Sequence, residues 1–67
     1  MITRLDIRTM IGKIAEVLDD DEVAHREEDK LYELVLKVIA TGDTDDARGL
    51  AMEALKSKNI SFSRWYA

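Results

Sequence analysis

Apolar side chains return every three or four residues through most of this chain, and the rhythm breaks at acidic or glycine-containing segments. Ile7, Met10, Ile11, Ile14, Val17 and Leu18 share one face of a helix, with Asp6, Thr9, Lys13, Glu16 and Asp20 opposite. The spacing predicts a first helix over 6–18, with Asp6 as its N-cap and Leu5 packing on Met10 as a hydrophobic staple. A start at Thr3 is the competing reading. It would place Leu5 on the solvent side, so Asp6 is preferred.

The run Asp19-Asp20-Asp21-Glu22 ends this helix and opens a second over 21–40, because carboxylates suit the free N–H groups and partial positive charge of a helix start. From Leu31 to Ala40 only Glu33 and Lys37 are polar, and with Arg26 and Lys30 they form a narrow stripe. A helix apolar around most of its circumference needs more than one neighbour. Its late turns therefore belong to the centre of a bundle or to a subunit interface.

Thr41-Gly42-Asp43-Thr44 is a stop and restart. Gly42 supplies the left-handed residue that closes a helix, and Asp43 or Thr44 caps the next. A third helix over 45–57 turns Ala47, Leu50, Ala51, Ala54 and Leu55 inward; Gly49 within it points to close backbone approach or to simple tolerance. Beyond Asn59, Ile60 and Phe62 alternate with Ser61 and Ser63, which favours an extended segment over 60–67. The expected fold is all-α: a small three-helix bundle, one domain, with an extended aromatic C-terminal tail.

Composition narrows the functional classes. At 67 residues and 7.6 kDa there is room for one core only. A chain this short buries only about 60% of its unfolded surface, so a homodimer is expected to supply what a monomer lacks. Without cysteine there is no disulfide framework, thiolate zinc site or cysteine nucleophile, and the single His25 cannot provide paired imidazoles. No stretch approaches the ~20 apolar residues of a membrane span. The N-terminal Met1-Ile2-Thr3-Arg4-Leu5-Asp6 does not open a secretory leader, so a cytoplasmic location is expected.

The carboxylate clusters do not fit a calcium loop. Counting from Asp43 puts Arg48 where glycine is needed and Ala54 where glutamate is needed, and counting from Asp19 puts Ala24 at the glycine position. His25, among Glu22, Glu28 and Asp29, reads as a solvated side chain, since no nucleophile accompanies it at a meaningful spacing. Gly12, Gly42 and Gly49 match no phosphate loop. No enzymatic activity, metal or cofactor is expected.

Charge and aromatic placement say more than the totals. The net charge of −4 averages an acidic stretch, with seven carboxylates against Arg26 in residues 19–29, over a basic C-terminal third holding Arg48, Lys56, Lys58 and Arg64. Three of the four aromatic residues fall in the last six positions. Trp, Tyr and Arg are enriched at interface hot spots. The favoured reading is a non-enzymatic protein-interaction or regulatory module, binding a partner protein through Phe62, Arg64, Trp65 and Tyr66 of the tail with Tyr32 and Leu36 of the second helix. Folding back of Phe62 and Trp65 over the bundle is a reading of comparable weight for those aromatics, and the two coexist if Phe62 is anchored while Trp65 and Tyr66 stay exposed. The rival function is an acidic inhibitor that imitates nucleic acid in a basic groove, through Asp19, Asp20, Asp21, Glu22, Glu27 and Glu28. A helix-turn-helix-like DNA-binding domain ranks third, because its recognition helix would begin Thr44-Asp45-Asp46 and point carboxylates at phosphates.

Overall fold

The computed structural model describes residues 1–64. Among them the chain forms three α-helices, α1 (Arg4–Glu16), α2 (Asp21–Ala40) and α3 (Ala47–Leu55), then a single 3₁₀ segment, Lys56–Asn59, and no strand. The all-helical expectation is met in these residues. Residues 61–64 have no regular secondary structure, and the expectation for Trp65 and Tyr66 lies outside the described residues.

The first helix begins earlier than its apolar pattern predicts, and Asp6 is not its N-cap. Thr3 takes that position: its Oγ1 accepts the Asp6 amide at 3.3 Å, while the Asp6 carboxylate accepts the Thr3 amide at 2.9 Å. This reciprocal capping box satisfies two otherwise orphaned donors, and it outweighs leaving Leu5 68% exposed. The helix also ends sooner, at Glu16, with Val17 as C-cap and Leu18 outside it. In α2 the acidic opening behaves as predicted, with Asp20 as N-cap and its carboxylate accepting the Val23 amide at 3.2 Å.

The α2–α3 connection follows its glycine. Gly42 adopts φ +74°, and its amide donates to the Ile39 carbonyl while the Asp43 amide donates to the Val38 carbonyl. That pair of bonds is a Schellman closure, which removes orphan carbonyls at the helix end. Neither Asp43 nor Thr44 caps α3. The Thr44 hydroxyl accepts the Asp46 amide at 3.0 Å, which holds residues 44–46 outside the helix and shifts the N-cap to Asp46.

Eight apolar side chains form the buried core: Ile7 and Ile14 from α1, Ala24, Leu31, Val35 and Val38 from α2, and Leu50 and Ala54 from α3. Ile2, Met10, Ile11, Val17, Tyr32, Leu34, Ile60 and Phe62 pack around them. Leu55, predicted to face inward, is 61% exposed. Helix α3 is only nine residues long, so its inward stripe reduces to Leu50 and Ala54. Gly49 answers the question its position raised: a Cβ there would fall on the Arg4 guanidinium and the Asp46 carboxylate, so the α1–α3 approach occupies that space.

Candidate functional site

Glu28 sits on the inward stripe of α2, with Ala24, Leu31, Val35 and Val38 at helical spacing on the same side. It is almost fully buried, which removes it from the acidic surface expected of it. Its carboxylate receives Arg64 in a two-pronged grip, Nε to Oε1 at 2.8 Å and Nη2 to Oε2 at 3.0 Å. The same Nη2 donates to the carbonyls of Ser57 at 2.9 Å and Ile60 at 3.0 Å, and the guanidinium lies 3.9 Å over the Phe62 ring. Ser57 Oγ donates to Glu28 Oε2 at 2.8 Å, which leaves the Tyr32 hydroxyl to donate to Ser57 Oγ at 2.6 Å. Lys58 Nζ stands 3.7 Å from Glu28 Oε1 and 5.4 Å from the centre of the Tyr32 ring.

Burial pushes the Glu28 carboxyl up. The hydrogen bonds from Arg64 and Ser57, with the charges of Arg64 and Lys58, prevail and hold it below the usual carboxylate range. Arg64 is raised correspondingly by its hydrogen bond to Glu28. Every buried side-chain nitrogen and oxygen among the described residues has a partner. With its proton directed at Glu28 and no exposure, Ser57 is placed to close the structure over α2. The cluster is a clamp that holds residues 60–64 against the bundle, helped by the Ser63 amide donating to Asp21 at 3.2 Å.

A second set of ion pairs joins α1 to α3. Glu53, which the sequence pattern did not single out, is buried and takes Arg8 Nε at 2.9 Å and Lys56 Nζ at 3.0 Å. Those two hydrogen bonds hold its carboxyl low, Arg8 contributing most. Arg4 grips Asp46 across Gly49 through Nε at 2.6 Å and Nη2 at 3.1 Å. The hydrogen bond from Arg4 likewise lowers the Asp46 carboxyl.

An apolar groove lies between α2 and α3. Tyr32, Val35 and Leu36 form one wall of an apolar groove of about 340 Å³, Ala51, Ala54 and Leu55 form the other, and Lys58 stands at its lip. No residue of α1 lines it. Leu36 is 66% exposed beside it, and Leu55 and Met52 are comparably open on α3. Isolated exposed leucines such as Leu5 need no explanation, but several around one trough do.

No family model, curated protein or solved structure matches the chain. Its function is therefore argued from these surfaces alone.

Of the residues singled out for partner binding, the fold brings Tyr32 and Leu36 together at the groove. Phe62 and Arg64 go elsewhere, folded onto the bundle through the Glu28 clamp, while Trp65 and Tyr66 lie outside the described residues. Among the proposed acidic positions, Asp19, Asp20, Asp21 and Glu22 are exposed, and Glu27 is partly covered and 3.4 Å from Lys30. Asp20 and Asp21 also serve the α2 cap and the tail. His25 is not the solvated side chain expected: it is 15% exposed, with Nδ1 3.2 Å from Asp29 one turn on. Among the described residues no three His, Asp or Glu side chains gather as metal ligands, and no helix is long and apolar enough to cross a membrane.

Ser57 and Leu55 were not identified as site residues from sequence. Glu28 carried a readable signal, because it continues the 4,3,4,3 spacing of Ala24, Leu31, Val35 and Val38. For Ser57 there was none: its role depends on where the segment after α3 crosses α2.

Proposed function

We propose that this chain is a small non-enzymatic interaction module that binds protein through the groove between α2 and α3. The observation that carries the reading is the apolar groove, whose lining residues Leu36 and Leu55 are more than half exposed. Exposed side chains of this size rim the trough like the well-packed apolar centre of a protein interface. The tail plays a supporting part in this reading. Arg64 and Phe62 stabilise the end of the bundle, so the binding role first expected of them passes to α3.

The test compares the full-length wild type with Leu36→Lys, Leu55→Lys and the control Leu5→Lys in affinity capture from a host extract. All three positions are exposed, so helicity by circular dichroism should not change. Partners retained by the wild type and by Leu5→Lys should be lost by both groove variants. An identical set of captured proteins in all four samples would remove the groove from the function.

A further inference from the structure

We infer that this groove takes an acidic amphipathic helix of another protein. Apolar side chains one turn apart pack between Leu36 and Leu55, and a carboxylate beside them faces Lys58. The inference rests on the interaction reading above and names the chemistry of the partner.

Shape carries the apolar half. The wall on α2 runs one turn, from Tyr32 to Leu36, and the opposite wall continues from Ala51 to Lys58. At 1.5 Å per residue the longer wall is about 10 Å, the length of two helical turns. A helix laid in such a groove presents its anchors at i, i+3 or i+4, and i+7. On α3, Ala51 and Ala54 recur at i and i+3 with one methyl each, so an approaching helix meets short side chains on that wall. Leu36 and Leu55, largely exposed on opposite walls, supply the apolar surface that the anchors cover.

Charge carries the acidic half. Among the described residues, Lys58 is the only charged side chain that lines the groove. Its ammonium stands 5.4 Å from the centre of the Tyr32 ring, which keeps the cation at the edge of the apolar wall. The carboxylate it faces is already taken. Glu28 Oε1 accepts Arg64 Nε, and Oε2 accepts both Arg64 Nη2 and Ser57 Oγ. Lys58 Nζ, 3.7 Å from Glu28 Oε1, lies beyond hydrogen-bond reach. Two cations therefore share one carboxylate, and one positive charge is left over at the lip.

No carboxylate of the groove answers that charge. Glu33, next to Tyr32 in α2, is paired to Lys37 at 3.1 Å and lines a separate hollow with Lys30, Leu34 and Lys37. A twofold pairing of two copies would map the groove onto itself and bring Lys58 no carboxylate from the matching surface. The acid must come from a different chain. The same cation sets specificity, because an apolar helix with Lys or Arg at that place meets a like charge.

Display selection decides the matter, with the full-length chain as bait and a library of random peptides long enough for about four helical turns. Enriched peptides should share apolar residues at i and i+3 or i+4 with Asp or Glu next to them. Leu36→Ser and Leu55→Ser, neutral changes at exposed positions, should each weaken an enriched peptide about tenfold. Lys58→Gln should weaken it about threefold, as for a half-exposed pair. Selection repeated on Lys58→Gln should lose the preference for acid, and selection on Lys58→Glu should replace it with Lys or Arg. Circular dichroism checks that each variant keeps its helicity, and Lys58→Gln sets no second carboxylate beside Glu28. A selection that enriches no peptide, an acid preference that Lys58→Gln leaves intact, or peptides indifferent to both serine variants would overturn the inference. So would a wild-type chain that dimerises in sedimentation through Leu36 and Leu55, since a second copy then fills the groove. If no acid preference emerges yet Leu36→Lys and Leu55→Lys still lose a captured protein, the partner has another chemistry and the interaction reading survives. If neither assay depends on Leu36 and Leu55, both readings fall.

Discussion

Arg64→Ala tests whether the segment after α3 belongs to the folded core. The substitution strips from Glu28 two charge-assisted hydrogen bonds and frees the carbonyls of Ser57 and Ile60. Removing one member of a buried pair generally costs about 3–5 kcal/mol, because the other charge stays buried. Two features soften that here. The Arg64 side chain is 25% exposed, and Lys58 already lies 3.7 Å from Glu28 and can move closer. The expected loss is about 2–3 kcal/mol. For 67 residues, total stability at ~0.05–0.15 kcal/mol per residue is about 3–10 kcal/mol, so the variant forfeits a large share. Urea unfolding followed by circular dichroism at 222 nm measures it directly, and the thermal midpoint should fall by about 10–20 °C. Glu28→Met combined with Arg64→Met should be less damaging than either single change, since no charge is then buried alone. A loss below about 0.5 kcal/mol in Arg64→Ala would refute the clamp and return the segment to the surface.

The same carboxylate gives stability a pH dependence of known sign. Glu28 titrates lower in the folded chain than its ordinary value of 4.5, so its contribution is complete above that value and is lost as pH falls through the lower folded one. Asp46 and Glu53 are lowered too and add in the same direction. Denaturant midpoints measured from pH 6 to pH 3 should therefore fall, and Glu28→Gln, weaker at neutral pH, should fall less steeply. Thr3→Ala should cost about 1 kcal/mol by removing the α1 cap, measured by urea unfolding; no change would mean that the helix start is set elsewhere. Gly49→Ala gains about 1 kcal/mol in helix propensity but displaces the Arg4–Asp46 pair, so the gain should appear in full only together with Arg4→Ala. Equal effects in both backgrounds, by the same unfolding assay, would show that the pair does not occupy that space. Tyr32→Phe should cost about 1 kcal/mol through its lost bond to Ser57, with the groove unchanged.

How far the candidate site was legible varies along α2. The apolar excess of residues 31–40 marked a helix with too many dry faces, and the structure leaves Leu36 and Ile39 exposed there. The other wall of the groove was not legible. Leu55 reads as an inward residue on a helix of 45–57, but at 3.6 residues per turn it lies about 100° round from Ala54 and about 140° from Leu50, so burying those two leaves it outward. Glu28 shows the opposite error. Composition places a glutamate in an acidic run at the surface, yet the helical spacing of its apolar neighbours places it inside.

Local chemistry in the sequence determined three helices and their breaks, because caps, glycine and apolar period act within a few residues. The carboxylates opening α2 and Gly42 closing it are where short-range hydrogen bonding alone requires them. At the start of α1 two local signals competed, and the reciprocal bonds of Thr3 and Asp6 outweighed the burial of Leu5. Only the tertiary structure decided which charges are buried and which apolar side chains are left open. Arg64 meets Glu28 across 36 positions of chain, and Arg4 meets Asp46 across 42. Such pairings, like the groove between α2 and α3, exist only after helices pack, since separation in sequence carries no information about which faces meet.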